Sequence, residues 1–568
     1  MLLPATTKEL SALGWDRPDI ILVTGDAYID SPHIGVTVIG RWLADADYKV
    51  AIIAQPDLRS GVDIKRLGEP RLFWGVTGGC LDSMVANYTA VKKKRLGDDL
   101  TPGGKNNRRP DRAVIAYANL IRQYFKDTRP IVLGGVEASL RRIAHYDYWT
   151  DSIRRAILFD ARADILACGM AEKAVLEIAH RLETGQSIID IRGTCVIAAA
   201  PPAGYLELPS YEDAAADSKV FIKMFNLFYA NNDPVTALGF YQKHGNRYLV
   251  HHPPPHLTSA ELDKIYALDY TREVHPLCRK QGRVLAMDTI KFSLTTHRGC
   301  YGECNFCSIG LHEGRKIISR SEESILQEAK KIAARKDFKG YIVDVGGATA
   351  NMYSIDCARK NTKGACPGKR CLVPQICPSL KTDHSRQISL LKNLRKIPGV
   401  KKVFVASGLR HDLVLADKKS GAAYLRELVN HHVSGQLKIA PEHSVPDVLK
   451  LMGKPSAQKL TNFKKLFEKL NEKTGKKQFL TYYFIAAHPG CTENDMRFLK
   501  SFAGRELKTN PEQAQIFTPL PSTYSALMYL TGTDPFTGKK IFVEKDTVKK
   551  QRQKNILMPE KQRFLCKS

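Results

Sequence analysis

From Asp19 onward, short apolar runs alternate with stretches whose apolar residues recur at helical spacing. The runs are DIILVTGDAY from Asp19, KVAIIAQPD from Lys49, RLFWGVTGG from Arg71, PIVLGG from Pro130 and ADILACGMAE from Ala163. Helical patterns fall between them, around 34–46, 81–94 and 170–184. Apolar strands separated by amphipathic helices predict an α/β domain over 1–200 with a doubly wound parallel sheet. In such sheets ligands gather at the carboxyl ends of the strands, and here several strands end in Gly or Asp. The stretch 201–286 mixes a helical pattern at 211–229 with HHPPPH from His251, whose prolines deny donors to a regular element, and it reads as a connector. Strand–helix alternation returns over 287–530. Six runs carry it: DTIKFSLTTH, GYIVDVGG, KKVFVASGL, GQLKIAPEH, KQFLTYYFIAAHPG and QAQIFTPLP. Six such repeats predict a partial or full β/α barrel. The segment 531–568 reads as a basic C-terminal tail.

Composition adds a charge argument. The 568 residues carry 86 Lys plus Arg against 58 Asp plus Glu, a formal net charge of +28. An anionic partner is the natural counterpart, with RNA or another polyanion the candidate. Two stretches concentrate the charge, Lys92 to Arg112 and Pro535 to Ser568. No stretch approaches the ~20 apolar residues that cross a bilayer, and the start lacks a basic-then-apolar signal pattern. A cytoplasmic location is therefore expected, with no membrane partner. In a reducing compartment clustered cysteines bind metal or catalyse rather than form disulfides. Of thirteen cysteines, six are scattered (Cys80, Cys168, Cys195, Cys278, Cys491 and Cys566); the other seven lie between Cys300 and Cys377.

The first three of those seven, Cys300, Cys304 and Cys307, are spaced C-x3-C-x2-C in HRGCYGECNFC, just past the strand run IKFSLTT. Three thiolates on one short loop can hold three irons of a cubane cluster and leave the fourth iron open to a small molecule. Gly299, Gly302 and Gly310 would let the loop wrap closely, and Phe306 is placed to shield a cofactor. A zinc loop is the alternative, with His297 or His312 as fourth ligand. Cys357, Cys366, Cys371 and Cys377 follow with spacing C-x8-C-x4-C-x5-C on a Pro/Gly-rich loop. They are candidates for a second metal or Fe–S site, and the spacing does not separate zinc from iron. Arg359, Lys360, Lys363, Lys369 and Arg370 lie in the same loop, where they would offset thiolate charge or meet phosphate.

The motif C-x3-C-x-aromatic-C after a first barrel strand resembles the radical S-adenosylmethionine (radical SAM) superfamily. That resemblance implies a [4Fe–4S] cluster on Cys300, Cys304 and Cys307, SAM on the open iron, and reductive cleavage of SAM to a 5′-deoxyadenosyl radical. It also implies an electron donor such as a flavodoxin or ferredoxin. Gly346 and Gly347 in YIVDVGGATANMY resemble the strand-end motif that meets the SAM amino group. Ser407 and Arg410 in VASGLRHD, and Lys438 and Glu442 in LKIAPEH, end further strands and are candidates for SAM contacts.

Nearly the whole chain is similar to YgiQ-type radical SAM proteins, through phrases such as VTGDAYID, TPGGK, GGVEASLRRIAHYDYW, HRGCYGECNFC, FIAAHPGCT and FTPLPSTYSALMY. The resemblance implies a cobalamin-binding-like N-terminal domain, a radical SAM barrel and a family-specific C-terminal region, but no substrate. A cobalamin-ligating loop would read D-x-H-x-x-G. GDAYIDSPHIGV departs from it, since His33 is followed too soon by Gly35 and Asp30 stands three residues before it. The fold is thus expected without cobalamin, with Asp26, Asp30 and His33 lining a site at the strand ends. The expected function is a radical SAM enzyme of unknown substrate, nucleic acid being the candidate on charge alone. The alternative is a non-catalytic, metal-stabilised nucleic-acid-binding protein.

Overall fold

The computed structural model describes residues 2–366, 368, 370–511 and 514–558. The chain forms two compact units, one of 1–257 with 264–291 and one of 258–263 with 292–568.

The first unit is built on one nine-stranded sheet. Its strands in chain order are β1 (Ile20–Thr24), β2 (Val50–Ala54), β3 (Phe73–Thr77), β4 (Ile131–Gly134), β5 (Ile165–Ala167), β6 (Thr194–Ala198), β7 (Leu206–Leu208), β8 (Phe240–His244) and β9 (Arg247–His251). They lie in the order β7-β8-β9-β6-β5-β4-β3-β1-β2. The five strands read from the sequence are the parallel part, β2-β1-β3-β4-β5, a doubly wound order whose switch point falls between β1 and β3. Every residue of β1 is buried, as a parallel strand covered on both faces requires. Helices Gly35–Asp45, Ala113–Tyr124 and Glu172–Glu183 cover it.

Two local expectations differ from this fold. The stretch 201–286, read as a connector, supplies β7, β8 and β9 to the same sheet. The hairpin β8–β9 reverses at Gly245, and β9 then pairs antiparallel with β6. Alternation here is irregular, so proline content outweighed it in the reading. The helix expected over 81–94 is only Ser83–Asn87, capped by Asp82. The chain then turns at Lys92, whose φ is 59°, so that Tyr88 bridges to Lys94.

The second unit holds β10 (Ser293–Thr295), β11 (Tyr341–Ile342), β12 (Asp344–Gly346), β13 (Lys402–Val403), β14 (Gln436–Glu442), β15 (Phe479–Ala486) and β16 (Ala514–Ile516). The pairings among these seven strands are parallel: β10 with β12, β11 with β13, Leu409 with Ile439, then β14 with β15 and β15 with β16. The six strand runs are all present. Among the described residues no ladder joins β16 to β10, so the arc is a partial β/α barrel. Its core packs Leu294, Val345, Leu437, Ile439 and Phe484 against helix residues such as Ile325, Leu391 and Phe463.

The segment read as a tail is partly structured. Helix Thr547–Leu557 buries Lys550, Gln553 and Leu557, and Gln553 Oε1 accepts the N–H of Ala487 at 2.9 Å. Its polar sequence hid this, because the buried positions are a lysine stem and an amide as well as a leucine. Cys566 and the last basic residues of the segment lie outside the described residues. No described helix is long and apolar enough to cross a membrane.

Candidate active site

β10 runs straight into the cysteine loop. Thr296 donates its N–H to Gly346 O at 2.7 Å, which ties the loop's root to the end of β12. His297–Arg298 then pairs with Ile318–Ser319, and the loop between them carries Cys300, Cys304 and Cys307. Gly299 sits at φ 85°, a backbone conformation that favours glycine.

The three sulfurs are half-buried. Cys300 Sγ accepts the N–H of Gly302 at 3.2 Å and lies 3.6 Å from Thr349 Oγ1 and 3.8 Å from Met352 Sδ. Arg410 reaches the same place, with Nη1 3.7 Å from Cys304 Sγ. A Cβ on Gly302 would stand 3.1 Å from Cys300 Sγ, 3.3 Å from Arg410 Nη1 and 3.7 Å from Cys304 Sγ. Gly302 is thus crowded by two sulfurs and a guanidinium that converge on it. Burial, then the neighbouring Cys304 sulfur, pushes the Cys300 thiol up, and burial does the same to Cys307. Such thiols ionise when a metal replaces the proton.

This donor set suits an Fe–S cluster better than a single ion. Tetrahedral zinc holds its sulfurs within about 4 Å of one another. Among the described residues these three sulfurs, with or without His297 or His312, do not gather within 4.8 Å. His297 is buried with Nδ1 2.8 Å from Thr296 Oγ1, and its Nε2 would stand 2.8 Å from a Cβ on Gly347, at the end of β12.

The loop is held from beneath by Glu303, which lies inside the motif at φ 45° and is buried. Its carboxylate accepts from Arg315 Nη2 at 2.8 Å and from Lys360 Nζ at 3.0 Å. Arg370 Nη1 donates to its carbonyl at 2.6 Å. Burial raises the Glu303 carboxyl, but Arg315 and Lys360 outweigh it and hold it below the usual range. Two of the cations expected to serve the second cysteine loop thus anchor the first.

The remaining candidates fall into three groups. Gly346 and Ser407 are adjacent: a Cβ on Gly346 would meet Ala350 Cα at 3.3 Å and Ser407 Cβ at 3.6 Å. The Ser407 hydroxyl donates to Asp344, which also accepts the N–H groups of Ala406 at 2.7 Å and Ser407 at 3.1 Å. Arg410 forms a two-pronged pair with Asp412, Nε to Oδ1 at 2.8 Å and Nη2 to Oδ2 at 2.6 Å. Burial would neutralise both groups, but the pairing holds the carboxyl low and the guanidinium high. Glu442 ends β14 at φ 69°, faces Lys454 at 3.6 Å, and is raised by burial against the opposing pull of Lys454 and Arg410. The Lys438 carbonyl accepts from Leu409 N at 3.0 Å.

Sequence reading missed Asp344, Asn351, Asp412 and Lys454. Asn351 accepts Arg410 N–H at 2.8 Å and donates to Arg410 O at 3.0 Å, fixing the backbone of that arginine. Its Nδ2 also meets His384 Nε2 at 3.2 Å, and His384 Nδ1 is 2.7 Å from Asp417. The only available signal was proximity in sequence to Gly347 and Arg410.

In the second cysteine set, Cys357, Cys371 and Cys377 share one apolar cluster. Cys357 and Cys371 are buried with Tyr301, Met352 and Leu372, against which Cys300 and Cys377 also pack. Among the described residues the four sulfurs supply no set of three within 4.8 Å. The basic stretch at 92–112 is also divided. Lys92, Lys93, Lys94, Arg95, Lys105 and Arg108 are exposed. Arg109 is buried on Asp26 at 2.5 Å and Asp98 at 3.3 Å, and Arg112 pairs with Asp147 at 2.9 Å. Asp26 and Asp30 do not offer free carboxylates at the strand ends. Asp26 holds Arg109 and the N–H of Cys80, while Asp30 holds Arg41 and the N–H of Thr271.

Comparison with known proteins places the chain in a family. Residues 2–293 match the Radical SAM N-terminal family and 294–503 the Radical SAM superfamily. The chain belongs to the radical SAM superfamily, and it is an enzyme of that class, using a [4Fe–4S] cluster and SAM. More narrowly, its full-length relatives are UPF0313 proteins, the YgiQ family. A UPF0313 protein of Fusobacterium nucleatum is 54% identical over 98% of this chain and 98% of its own length. One of Thermotoga maritima is 48% identical over 99% of this chain and 100% of its own. Among solved structures, the radical SAM methyltransferase TsrM of Kitasatospora setae overlaps 89% of this chain and 75% of its own at 13% identity, with a TM-score of 0.49.

Proposed function

We propose that Cys300, Cys304 and Cys307 are the cluster ligands and that SAM is held against the strand ends beside them. The observation that carries this is the convergence of the Cys300 and Cys304 sulfurs and the Arg410 guanidinium around Gly302. When bound, the cluster supplies the electron that cleaves SAM to methionine and a 5′-deoxyadenosyl radical. The protein's part is positioning. Gly302 N–H and Arg410 direct positive charge at Cys300 and Cys304, which stabilises thiolates and tunes their potential. Gly346 and Gly347 leave the end of β12 open for close approach of the SAM amino group. Ser407 acts through Asp344, which it orients. Arg410 serves the sulfurs, and Glu442 with Lys454 forms a polar wall for the SAM carboxylate or ribose, with Lys438 on the same strand.

Cobalamin plays no part in this reading, because the loop after β1 lacks the ligand spacing and spends Asp26 and Asp30 on Arg109 and Arg41. The substrate is left open, since six exposed cations at 92–108 give only a general affinity for anions. Equilibrium binding of SAM to the anaerobically reconstituted protein tests the assignment. Gly347→Val would push a side chain onto His297, 2.7 Å from its carbonyl already at Cβ. It should abolish SAM binding, with iron content measured alongside to show whether the cysteine loop beside His297 keeps its cluster. Unaltered SAM affinity in that variant would refute the role given to this strand end.

A further inference from the structure

Two of the cysteines that looked scattered in the sequence meet in the first unit. Cys168 follows the last residue of β5, and its Sγ lies 3.3 Å from the Sγ of Cys195 near the start of β6. The sheet register explains the meeting. Cys195 stands opposite Leu166 on one side and opposite His251 on the other. Cys168 is two residues beyond Leu166, so the strand period of two returns it to the same face. β6 runs antiparallel to β5, and β9 antiparallel to β6. The end of β5, the start of β6 and the end of β9 therefore lie at one rim. It is the rim at which the parallel strands present their carboxyl ends, where such sheets bind ligands.

The third member is His251. Its ring is buried, with 3% exposure, and stacks on Phe240 at 4.3 Å. Neither of its nitrogens has a hydrogen-bond partner of ordinary geometry among the described residues, which is costly for a buried imidazole unless a further ligand is present. The group the ring acts on is the Cys168 sulfur. One donor atom of His251 and the two sulfurs all lie within 4.8 Å of one another, the only such set of three among the described residues. Cys195 is fully buried and Cys168 half-buried, so the set is closed on the sheet side and approachable past Cys168.

We propose that Cys168, Cys195 and His251 form a zinc site, separate from the radical SAM cluster. Two thiolates and one imidazole are soft and borderline donors that select zinc over calcium or magnesium. Tetrahedral zinc–sulfur bonds of about 2.3 Å put two sulfurs about 3.8 Å apart, within half an ångström of the distance here. Three protein ligands leave the fourth position to water, the arrangement of a reactive rather than a sealed site. Binding exchanges two thiol protons for one Zn²⁺, with no electron transferred.

The test is zinc and iron analysis of the full-length protein, purified with reductant and zinc present and then reconstituted anaerobically. Wild type is compared with Cys168→Ser and with His251→Gln, which keeps much of the ring's volume at the buried position. Far-ultraviolet circular dichroism and the iron content serve as folding controls. The expected result is loss of one zinc per chain in both variants, with iron unchanged. Zinc content equal to wild type in either folded variant would overturn the proposal. So would a Cys168–Cys195 disulfide persisting in the reduced wild-type protein, found by thiol counting, because it would consume both sulfur ligands. If Cys168→Ser fails to fold, His251→Gln alone decides.

Discussion

Lys360, at the far end of a 57-residue sequence separation, places its ammonium 3.0 Å from the Glu303 carboxylate inside the cysteine motif. Both side chains are buried, and Arg315 completes the cluster. The backbone left-handed at Glu303 is thus locked by charge. Removing one partner of such a set leaves the others uncompensated. Glu303→Gln should therefore lower stability by about 3 kcal/mol in urea titration and reduce retained iron. A change below about 1 kcal/mol would mean that water, not Glu303, satisfies these cations.

The same carboxylate sets an acid limit. Its ionisation is depressed by Arg315 and Lys360 against burial. Its contribution is therefore fully present above the unfolded carboxylate value of about 4.3, and is lost as pH falls through the lower folded value. The wild type should lose stability over that acid range, and Glu303→Gln should lose less of it. Parallel denaturation curves at neutral pH and at pH about 3 measure the difference; identical pH dependence in the two proteins would contradict the assignment.

Arg410→Lys keeps the charge but not the fork that grips Asp412 through two nitrogens while a third faces Cys304. The expected outcome is a loss of about 2 kcal/mol, the scale of hydrogen bonds to charged groups. Iron retention should fall in the same variant. Full cluster occupancy after reconstitution and desalting would show that the guanidinium is not needed at the sulfurs.

Ser407 was a candidate for direct SAM contact, yet its hydroxyl is bound to Asp344. Because Asp344 keeps two backbone donors, Ser407→Ala should cost about 1 kcal/mol of stability and leave SAM affinity within about threefold, under 1 kcal/mol. A tenfold or larger fall in affinity would return Ser407 to the binding surface.

What the sequence made legible follows from what each pattern encodes. An all-buried strand such as β1 announces itself, because both faces must be apolar. The cysteine loop was legible because its chemistry depends on spacing along one short segment. Asp344 and Glu303 were not, because their partners Ser407 and Lys360 are brought to them by folding rather than by spacing. Cys168, Cys195 and His251 come from the ends of three strands, Cys168 and His251 standing 83 positions apart, and only the sheet register joins them. The terminal helix was hidden because Lys550 is buried through its stem, its ammonium on Tyr529 Oη at 2.6 Å, and a lysine-rich segment reads as solvated.

The central claim is that Cys300, Cys304 and Cys307 support reductive cleavage of SAM. It is tested most directly by measuring 5′-deoxyadenosine released when the anaerobically reconstituted protein is reduced in the presence of SAM. The wild type should release it, and the variant with all three cysteines changed to Ala should release none while remaining folded. Release of 5′-deoxyadenosine by the triple variant at the wild-type rate would contradict the assignment.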